Sequence, residues 1–303
     1  MRISYSAFDT YTKCPLKYKF QYIDYIKVPE KPEFFFGSLI HLVVQMALRR
    51  DPIIPPISDL IKFYESKWRE DIFPDKLTAD QYLDSGRQMI TKFHEDYKPG
   101  LRKVIASEKR FQIPLENHIL SGVIDRVDKL PFGAYEIVDY KTSKSLPSQE
   151  DVDNDKQLAT YAIAVQTLWP EARDVRLTLH YLKHGQLLTT SRTSEQIEQM
   201  KFALVETANK IQTAKNFRPR ENQFCDWCDY KHLCPKKMNN VSESMNIETK
   251  EIDILVKDYI SCYKKIADIT PQLQTHFDQE KIDKFETKLG TITRDHQRNF
   301  WVE

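Results

Sequence analysis

The sequence predicts an α/β fold in which a sheet is enclosed by helical segments. Helical periodicity runs through most of residues 1–97, and three strand-like segments follow in succession between Arg102 and Lys141. A helix, a pair of strands and a long helix are then predicted over residues 155–214. The chain has 303 residues, 41% of them hydrophobic, so it can bury a large core.

The predicted helices of the first hundred residues are separated by helix-breaking residues. Residues 1–26 predict a helix that is broken near Cys14 and Pro15, and residues 34–50 predict a second helix. Residues 57–97 again show a helical pattern, and the prolines at positions 55, 56 and 74 are expected to break it. This part of the chain is therefore predicted to be mostly helix.

The sheet is predicted from "KVIASEKRFQIPL", "HILSGVIDRVDKL" and "AYEIVDYKT". The acidic segment "SQEDVDND" then introduces a helix over about residues 155–169. The segment "DVRLTLHYLKHGQLLTTS" predicts a strand pair that turns at His184 and Gly185. A long helix is predicted over about residues 195–214, and a further helical stretch with a short charged tail ends the chain.

Charge and hydropathy exclude some partners and locations. Lys and Arg number 45 against 44 for Asp and Glu, so any nucleic-acid footprint must be local. The longest apolar run, 39–48, is interrupted by His41 and Gln45 and is too short to cross a bilayer. The amino terminus has no basic region followed by an apolar core. We therefore expect a cytoplasmic protein with no membrane partner.

Two predicted strands carry a pair of acids on one face. A hairpin turning at Phe132 places Asp125 and Asp139 at equal offsets from the turn, which makes them cross-strand neighbours. Isolated aspartates are more often found at a solvated edge, but the flanking Val and Ile residues predict burial here. A divalent cation, Mg²⁺ or Mn²⁺, would turn their repulsion into attraction. Lys141 points the same way from the strand and can stabilise charge on a phosphate.

Three further polar residues are candidates for the same site. Gln157 and Tyr161 lie four apart on one face of a predicted helix, although polar pairs at this spacing more often form a solvated face. His41 lies in the apolar segment "GSLIHLVVQMAL", where a histidine is more often a hydrogen-bonded core residue than a ligand. Each of these residues becomes a stronger candidate for the site if the fold places it beside the two acids.

Taken together, "GSLIH", "SGVIDRVD", "VDYKTS" and "QLATY" resemble, in order and spacing, the PD-(D/E)XK nuclease superfamily and its RecB-like nucleases. The resemblance implies a restriction-endonuclease-like core, with a mixed central sheet flanked by helices. It implies that His41, Asp125 and Asp139 bind the catalytic metal and that Lys141 assists phosphodiester hydrolysis. It also implies that Gln157 and Tyr161 orient the DNA or the attacking water. Glu108 lies where some members of the superfamily have another acid, and an exposed strand glutamate explains it equally well.

The cysteines predict a metal site near residue 230. Cys225, Cys228 and Cys234 follow a CxxC pattern with a third thiol, and a fourth ligand is needed. His232 would favour zinc, whereas Cys14 would complete a set of four thiols; spacing alone leaves both open. RecB-like nucleases with an iron-sulfur cluster have one such cysteine near the amino terminus and three after the core. That resemblance implies a [4Fe-4S] cluster on Cys14, Cys225, Cys228 and Cys234, which would clasp the domain together.

The predicted domains are a RecB-like nuclease domain over residues 1–238, with a helical insertion at about 51–100, and a helical extension with a tail over residues 239–303. The leading hypothesis is a metal-dependent DNA exonuclease acting on single strands or DNA ends. Repair, recombination and CRISPR-type DNA processing, with a helicase or another partner protein, fit this activity. The alternatives are a non-cleaving nucleic-acid-binding or scaffold protein on the same fold, and a zinc-stabilised nuclease. Aromatic residues at positions 20, 22 and 25 are candidates for a base-stacking channel, with core packing as an equally good explanation.

Overall fold

The computed structural model of the protein describes residues 1–49, 51–97, 102–237, 249–288, 290–294 and 300–302. The chain divides into two compact units, Met1–Cys225 and Asp226–Glu303. Two predicted features lie outside the described residues: the boundary between residues 238 and 239, and the end of the predicted insertion, residues 98–100. The division of the chain at residue 238 stays a prediction.

Helices make up most of the first hundred residues of the first unit, as predicted. A short strand, β1 (Arg2–Ile3), precedes α1 (Tyr5–Lys13) and α2 (Pro15–Tyr18), and a π-helical turn, Lys19–Ile23, follows them. The remaining helices of this part are α3 (Pro32–Leu48), α4 (Ile57–Ser66) and α5 (Lys76–Asp96).

The second part of this unit contains five strands and three helices. The elements are β2 (Lys103–Leu115), β3 (His118–Lys129), β4 (Ala134–Lys141), α6 (Gln149–Asp153), α7 (Lys156–Leu168), β5 (Asp174–Tyr181), β6 (Gln186–Thr190) and α8 (Ser194–Thr213). All of the predicted strands of this part are present. Strand β1 was not predicted, because two residues are too few to show an alternating pattern.

The strands form one mixed sheet of six. Strand β3 pairs with β2 along its length, with β4 near its carboxyl end, and in parallel with β1 at Ile119 and Leu120. Strand β5 pairs in parallel with β4 and antiparallel with β6. The parallel pairing of β4 and β5 is possible because α6 and α7 cross over between them. The prediction of a mixed sheet flanked by helices is confirmed.

Two hydrophobic cores cover the two faces of this sheet. One contains Ile137 and Leu177 of the sheet together with residues of α1, α7 and α8. The other contains Val138 and Tyr140 of the sheet together with residues of α3, α4 and α5. Consecutive residues of β4 therefore face different helical layers, as the period of two in a strand requires. Helices α3, α4 and α5 supply one layer, and α1, α7 and α8 supply the other.

Local sequence signals explain where these helices begin. The side chains of Ser148 and Thr193 cap α6 and α8 in capping boxes, and Asp75 and Asp155 accept hydrogen bonds from the first turns of α5 and α7. Pro15 stands at the first position of α2, where its missing N–H costs nothing. The predicted break at Cys14 and Pro15 is confirmed.

The second unit contains a long helix, α9 (Thr249–Glu280), and a three-stranded antiparallel sheet. The strands are β7 (Lys284–Thr287), β8 (Gly290–Arg294) and β9 (Phe300–Val302). The segment predicted as a charged tail thus forms strands. Its short alternation of polar and apolar residues, "KFETK" and "TITR", is hard to separate from a polar tail by sequence alone. Within the described parts of the chain, no helix combines the length and apolarity that a membrane span needs.

Candidate active site

Strands β3 and β4 form the hairpin that carries Asp125 and Asp139. The chain turns about Phe132, which has a φ of 63°, and the ladder between the strands runs from the pair of Lys129 with Tyr135 to the pair of Arg126 with Val138. The register confirms the predicted turn and sets Asp125 opposite Asp139, one position beyond that pair. The two acids therefore lie where the hairpin strands begin to separate.

Asp125 lies at a break in the pairing of β3. The ladder between β2 and β3 skips the positions of Glu108 and Asp125, and the ladder with β4 stops at Arg126. The backbone N–H of Tyr140 donates a 2.9 Å hydrogen bond to Asp125 Oδ2. Asp125 is 9% exposed, so a buried acid is held by the backbone of the opposite strand.

The two carboxylate oxygens of Asp139 have different surroundings. Oδ1 accepts hydrogen bonds from Gln157 Nε2 at 3.2 Å and from the Tyr161 hydroxyl at 3.3 Å. Oδ2 is buried and forms an ion pair with Lys141 Nζ at 2.5 Å. Burial raises the pKa of Asp139; the ammonium of Lys141 opposes this shift and the charge of Asp125 adds to it. The acid pair is therefore short of compensating positive charge.

Helix α7 brings Gln157 and Tyr161 to the acids. Gln157 Nε2 donates to the Tyr161 hydroxyl at 2.8 Å, and Gln157 Oε1 accepts from Lys141 Nζ at 3.0 Å. One amide thus contacts Asp139, Lys141 and Tyr161 at once. Burial raises the pKa of Tyr161 well above its ordinary value, and Asp139 raises it further, so the hydroxyl stays protonated and donates. These polar residues face the site and not the solvent.

Lys141 occupies the last position of β4, beside the acids. Burial alone would lower the pKa of Lys141, but the carboxylate of Asp139 raises it above its ordinary value. The amine therefore carries its charge at neutral pH. Its side chain is 29% exposed, which leaves the ammonium accessible from the cleft.

His41 of α3 reaches the same acids from the other side of the site. Its Nε2 lies 3.0 Å from the carbonyl oxygen of Tyr140, which can only accept, so Nε2 carries a proton. Nδ1 lies 3.4 Å from Asp125 Oδ2 and 3.9 Å from Glu108 Oε1. Burial lowers the pKa of His41, but the Asp125 carboxylate outweighs it and raises the pKa overall. A proton or a metal ion beside Nδ1 relieves the repulsion between these atoms.

Glu108 is part of this group. The potential ligand atoms of His41, Glu108 and Asp125 lie within 4.8 Å of one another, a spacing that one metal ion can bridge. Glu108 adopts a left-handed φ of 49° within β2, which is unusual for this residue type and typical of functional sites. Burial raises its pKa, and Asp125 adds to the shift. In the sequence, the only indication that Glu108 belongs to the site was the position of an acid on the strand that precedes Asp125.

These side chains line a cleft of about 1300 Å³ between the sheet and the helices α3 and α5. The acids, Lys141, Gln157 and Tyr161 all line it. The aromatic residues of this cleft are Phe34, Phe36, Tyr82, Tyr140 and Tyr161. The aromatics at positions 20, 22 and 25, predicted as a stacking channel, are not among its lining residues. Tyr22 instead stacks on Tyr18 at 5.0 Å and packs against the core.

The cysteines predicted to bind iron-sulfur are partly exposed. Cys14 and Cys225 fall in the first unit, and Cys228 and Cys234 in the second. In the first unit, Asn222 donates from its side chain to the carbonyl of Lys13 at 3.0 Å and from its backbone to Cys225 Sγ at 3.3 Å. The two ends of that unit thus meet beside Cys14. The iron-sulfur assignment and the alternative zinc ligand His232 stay predictions.

Comparisons with known proteins show the family of the chain. A family model described as the PD-(D/E)XK nuclease superfamily matches residues 2–235 of the chain. A subunit of the ATP-dependent helicase/deoxyribonuclease of Streptococcus agalactiae serotype Ia is 26% identical over 176 residues, which are 54% of this chain and 16% of that protein. The subunit of the same name from Streptococcus pyogenes serotype M49 is 40% identical over 74 residues, 22% of this chain and 7% of that protein.

The match therefore spans about 16% of the length of the first of these relatives, and the relatives are much longer proteins. Among solved structures, the crystal structure of SSO0001 aligns with 68% of this chain and 96% of its own, with a TM-score of 0.32 and 16% identity.

Proposed function

The chain belongs to the PD-(D/E)XK nuclease superfamily, and from this premise we propose that it is a metal-dependent deoxyribonuclease that hydrolyses phosphodiester bonds. The observation that carries the proposal is the network around Asp139. One carboxylate oxygen is ion-paired with Lys141, the other is held by Gln157 and Tyr161, and the second buried acid, Asp125, lies beside them. A fold gains little from burying two acids beside one lysine, because buried charge without a matching countercharge is destabilising.

We propose that His41, Asp125 and Asp139 hold the catalytic metal ion, with Glu108 as a further carboxylate near it. The donor set fits Mg²⁺ or Mn²⁺, which prefer oxygen ligands and accept an imidazole nitrogen. The donation from His41 Nε2 to the Tyr140 carbonyl fixes the tautomer, and leaves Nδ1 as the ligand atom. When bound, such an ion supplies an activated water and stabilises negative charge on phosphate oxygens.

The protein groups around that ion have distinct roles in the proposal. The Lys141 ammonium holds a phosphate oxygen and stabilises the charge that develops on it. Gln157 holds Lys141 and Asp139 in a fixed relation, because a single amide hydrogen-bonds to both. The Tyr161 hydroxyl fixes the orientation of Asp139. These contacts set the geometry before the substrate arrives, which lowers the cost of reaching the transition state.

We propose DNA ends or single strands as the substrate and exonucleolytic cleavage as the mode. The similar proteins from Streptococcus carry helicase and deoxyribonuclease in one name, which favours a partner helicase that unwinds DNA for this chain. Repair or recombination is the setting that this pairing favours.

We further propose that Cys14, Cys225, Cys228 and Cys234 bind a [4Fe-4S] cluster with a structural role. The cysteine spacing supports it, as does the hydrogen bond that Cys225 Sγ receives from a backbone N–H. Anaerobically purified protein is expected to be brown, with about four irons per chain, and Cys234→Ser to lose the colour. A colourless protein with one zinc per chain would reject the cluster in favour of zinc.

The nuclease proposal is tested with end-labelled single-stranded and duplex DNA, in Mg²⁺, in Mn²⁺ and in excess chelator. Wild type is expected to degrade DNA only with metal, and Asp139→Asn to lose activity by at least about 10²–10³-fold. Asp174→Asn is the matched control, because it makes the same change at an exposed aspartate of β5. Metal-dependent binding without cleavage by wild type would reject the nuclease and favour the binding protein.

A further inference from the structure

One stripe of α3 faces the cleft along its whole length. Phe34, Ser38, His41 and Gln45 are spaced by four, three and four residues, and all of them line the cleft. The stripe that offers a metal ligand therefore also carries an aromatic ring. Phe34 lies seven residues from His41, or about 10 Å along the helix axis.

Phe34 combines exposure with a place in the cleft lining. Its side chain is 67% exposed, whereas the next residue along the helix, Phe35, is 9% exposed and packs in the core. An exposed ring that lines a cleft is accessible to a ligand bound there. Nucleic-acid bases are flat and apolar on their faces, and aromatic side chains bind them by stacking.

Two exposed lysines also line the cleft. Lys144 follows β4 and Lys183 follows β5, and both line the cleft with exposed side chains. Within the part of the chain that the structure describes, neither lysine forms an ion pair within 4.0 Å, as Lys13 and Lys92 do. The His184 Nε2 hydrogen bond to the Lys144 carbonyl, 3.0 Å, ties the two loops together. Two ammonium groups of this kind can bind and neutralise phosphates of a polynucleotide.

We propose that the cleft holds a single strand of nucleic acid in one orientation, with its bases toward α3 and its phosphates toward Lys144 and Lys183. Phe34 stacks on one base. Inside a duplex the bases are stacked on each other, so only a terminal base pair presents a face to this ring, whereas every unstacked base of a single strand can do so. The proposal rests on the proposed nuclease function, and it assigns strand selectivity to Phe34.

The stacking contact is tested by steady-state kinetics with a labelled oligothymidylate and with the same strand made base-free. Phe34→Ala is expected to raise KM about 5- to 100-fold on the intact strand, with kcat nearly unchanged. On the base-free strand it is expected to leave KM unchanged, because no base remains to stack. Phe34→Trp is expected to restore the KM for the intact strand.

The matched control is Phe202→Ala on α8, since Phe202 is 69% exposed and lies outside the cleft lining. It is expected to leave both substrates unaffected. An unchanged KM for Phe34→Ala on the intact strand would overturn the assignment, as would an equal rise on both strands. The thermal midpoint of Phe34→Ala should match wild type, which separates a lost contact from misfolding.

The phosphate contacts are tested by Lys144→Gln with Lys183→Gln. If each lysine neutralises one phosphate, the slope of log(1/KM) against log[salt] falls by about 0.7 per contact, or about 1.4 in total. Lys62→Gln, at an exposed lysine of α4, is the control and should keep the wild-type slope. An unchanged slope in the double variant would overturn this half of the proposal.

Failure of the proposed function gives a different result from failure of this inference. If wild type degrades neither strand with metal present, the nuclease assignment falls and the inference falls with it. If wild type degrades the intact strand while the Phe34 and lysine variants behave like it, the nuclease assignment stands and only the strand orientation is rejected.

Discussion

The β3–β4 hairpin carries two acidic clusters that differ in how their charge is balanced. The cleft cluster contains Glu108, Asp125, Asp139, His41 and Lys141. The arginine-paired cluster contains Arg102, Arg126, Asp128 and Glu136, and begins one residue further along β3. Both are partly or wholly buried, and both derive from the same strands.

In the arginine-paired cluster, two arginines face two acids. Arg126 Nε and Nη2 donate to the two oxygens of Asp128 at 2.7 and 2.6 Å, a bidentate pair with both side chains buried. Arg102 lies 3.2 Å from Glu136. Arg126 also donates to the Tyr140 hydroxyl at 3.1 Å, which anchors the strand residue between Asp139 and Lys141.

The cleft cluster has three acids and one lysine, and its histidine is charged only when protonated. Burial of acids therefore does not by itself mark a functional site. The distinguishing feature is whether the fold supplies the matching cations. Where it does, the charge of the acids is compensated within the hairpin; where it does not, the acids are available to an ion from solution.

The largest expected contrast is in folding stability. Asp128→Asn leaves Arg126 buried without its carboxylate, so the free energy of unfolding should fall by about 3–5 kcal/mol. Asp139→Asn should lose about 1 kcal/mol or less, because Lys141 is 29% exposed and can turn its ammonium to water. Urea unfolding of both variants measures this. Equal losses in the two variants would show that the clusters are energetically alike.

The next contrast concerns pH, at His180 beside the arginine-paired cluster. Burial lowers the pKa of His180 to about 4, and the charge of Arg126 adds to this. The unfolded chain takes up a proton near pH 6.5 and the folded chain does not, so stability falls as pH drops from 6.5 toward 4. The loss should reach about 3 kcal/mol. It is measured by urea unfolding across this pH range.

His180→Phe is the variant that isolates this effect. Phe93 and Tyr140 already pack around the position, with ring centroids 6.4 and 5.6 Å away. The variant should show a flatter stability profile between pH 6.5 and 4. A profile as steep as that of wild type would assign the pH dependence to other groups.

Metal binding should also distinguish the two clusters, with a slightly smaller change in the free energy of unfolding. Mg²⁺ or Mn²⁺ at a hundred times its dissociation constant should stabilise wild type by about 2.7 kcal/mol, seen as a higher thermal midpoint. Asp139→Asn should lose this shift, and Asp174→Asn should keep it. An equal shift in both variants would place the ion away from the cleft cluster.

The smallest expected effect concerns the amide that joins Lys141 to Asp139. Gln157→Ala should lower kcat by about 10–100-fold, the usual cost of losing a group that orients a metal ligand. KM should change little, since the substrate does not depend on this amide for binding. Gln199→Ala, at an exposed glutamine of α8, is the control. A change confined to KM would give Gln157 a role in binding DNA.

Much of the site could be predicted because it depends on local spacing. The turn at Phe132 sets the register of one hairpin, so Asp125, Asp139 and Lys141 follow from counting residues. The helix period does the same for Gln157 and Tyr161. Strand β1 and the small carboxyl-terminal sheet were missed, since short strands give too few alternations to detect.

By itself the sequence determined the order of elements, the hairpin register and the identity of the two central acids, because periods of 2 and 3.6 residues are local properties of the backbone. Only the tertiary structure decided that His41 meets a carbonyl 99 positions away, that Glu108 joins the acids, and that Phe34 faces the cleft while Phe35 is buried. The tertiary structure also decided which acids form ion pairs with arginines. Those contacts join segments far apart in the chain, and they depend on how whole helices pack against the sheet.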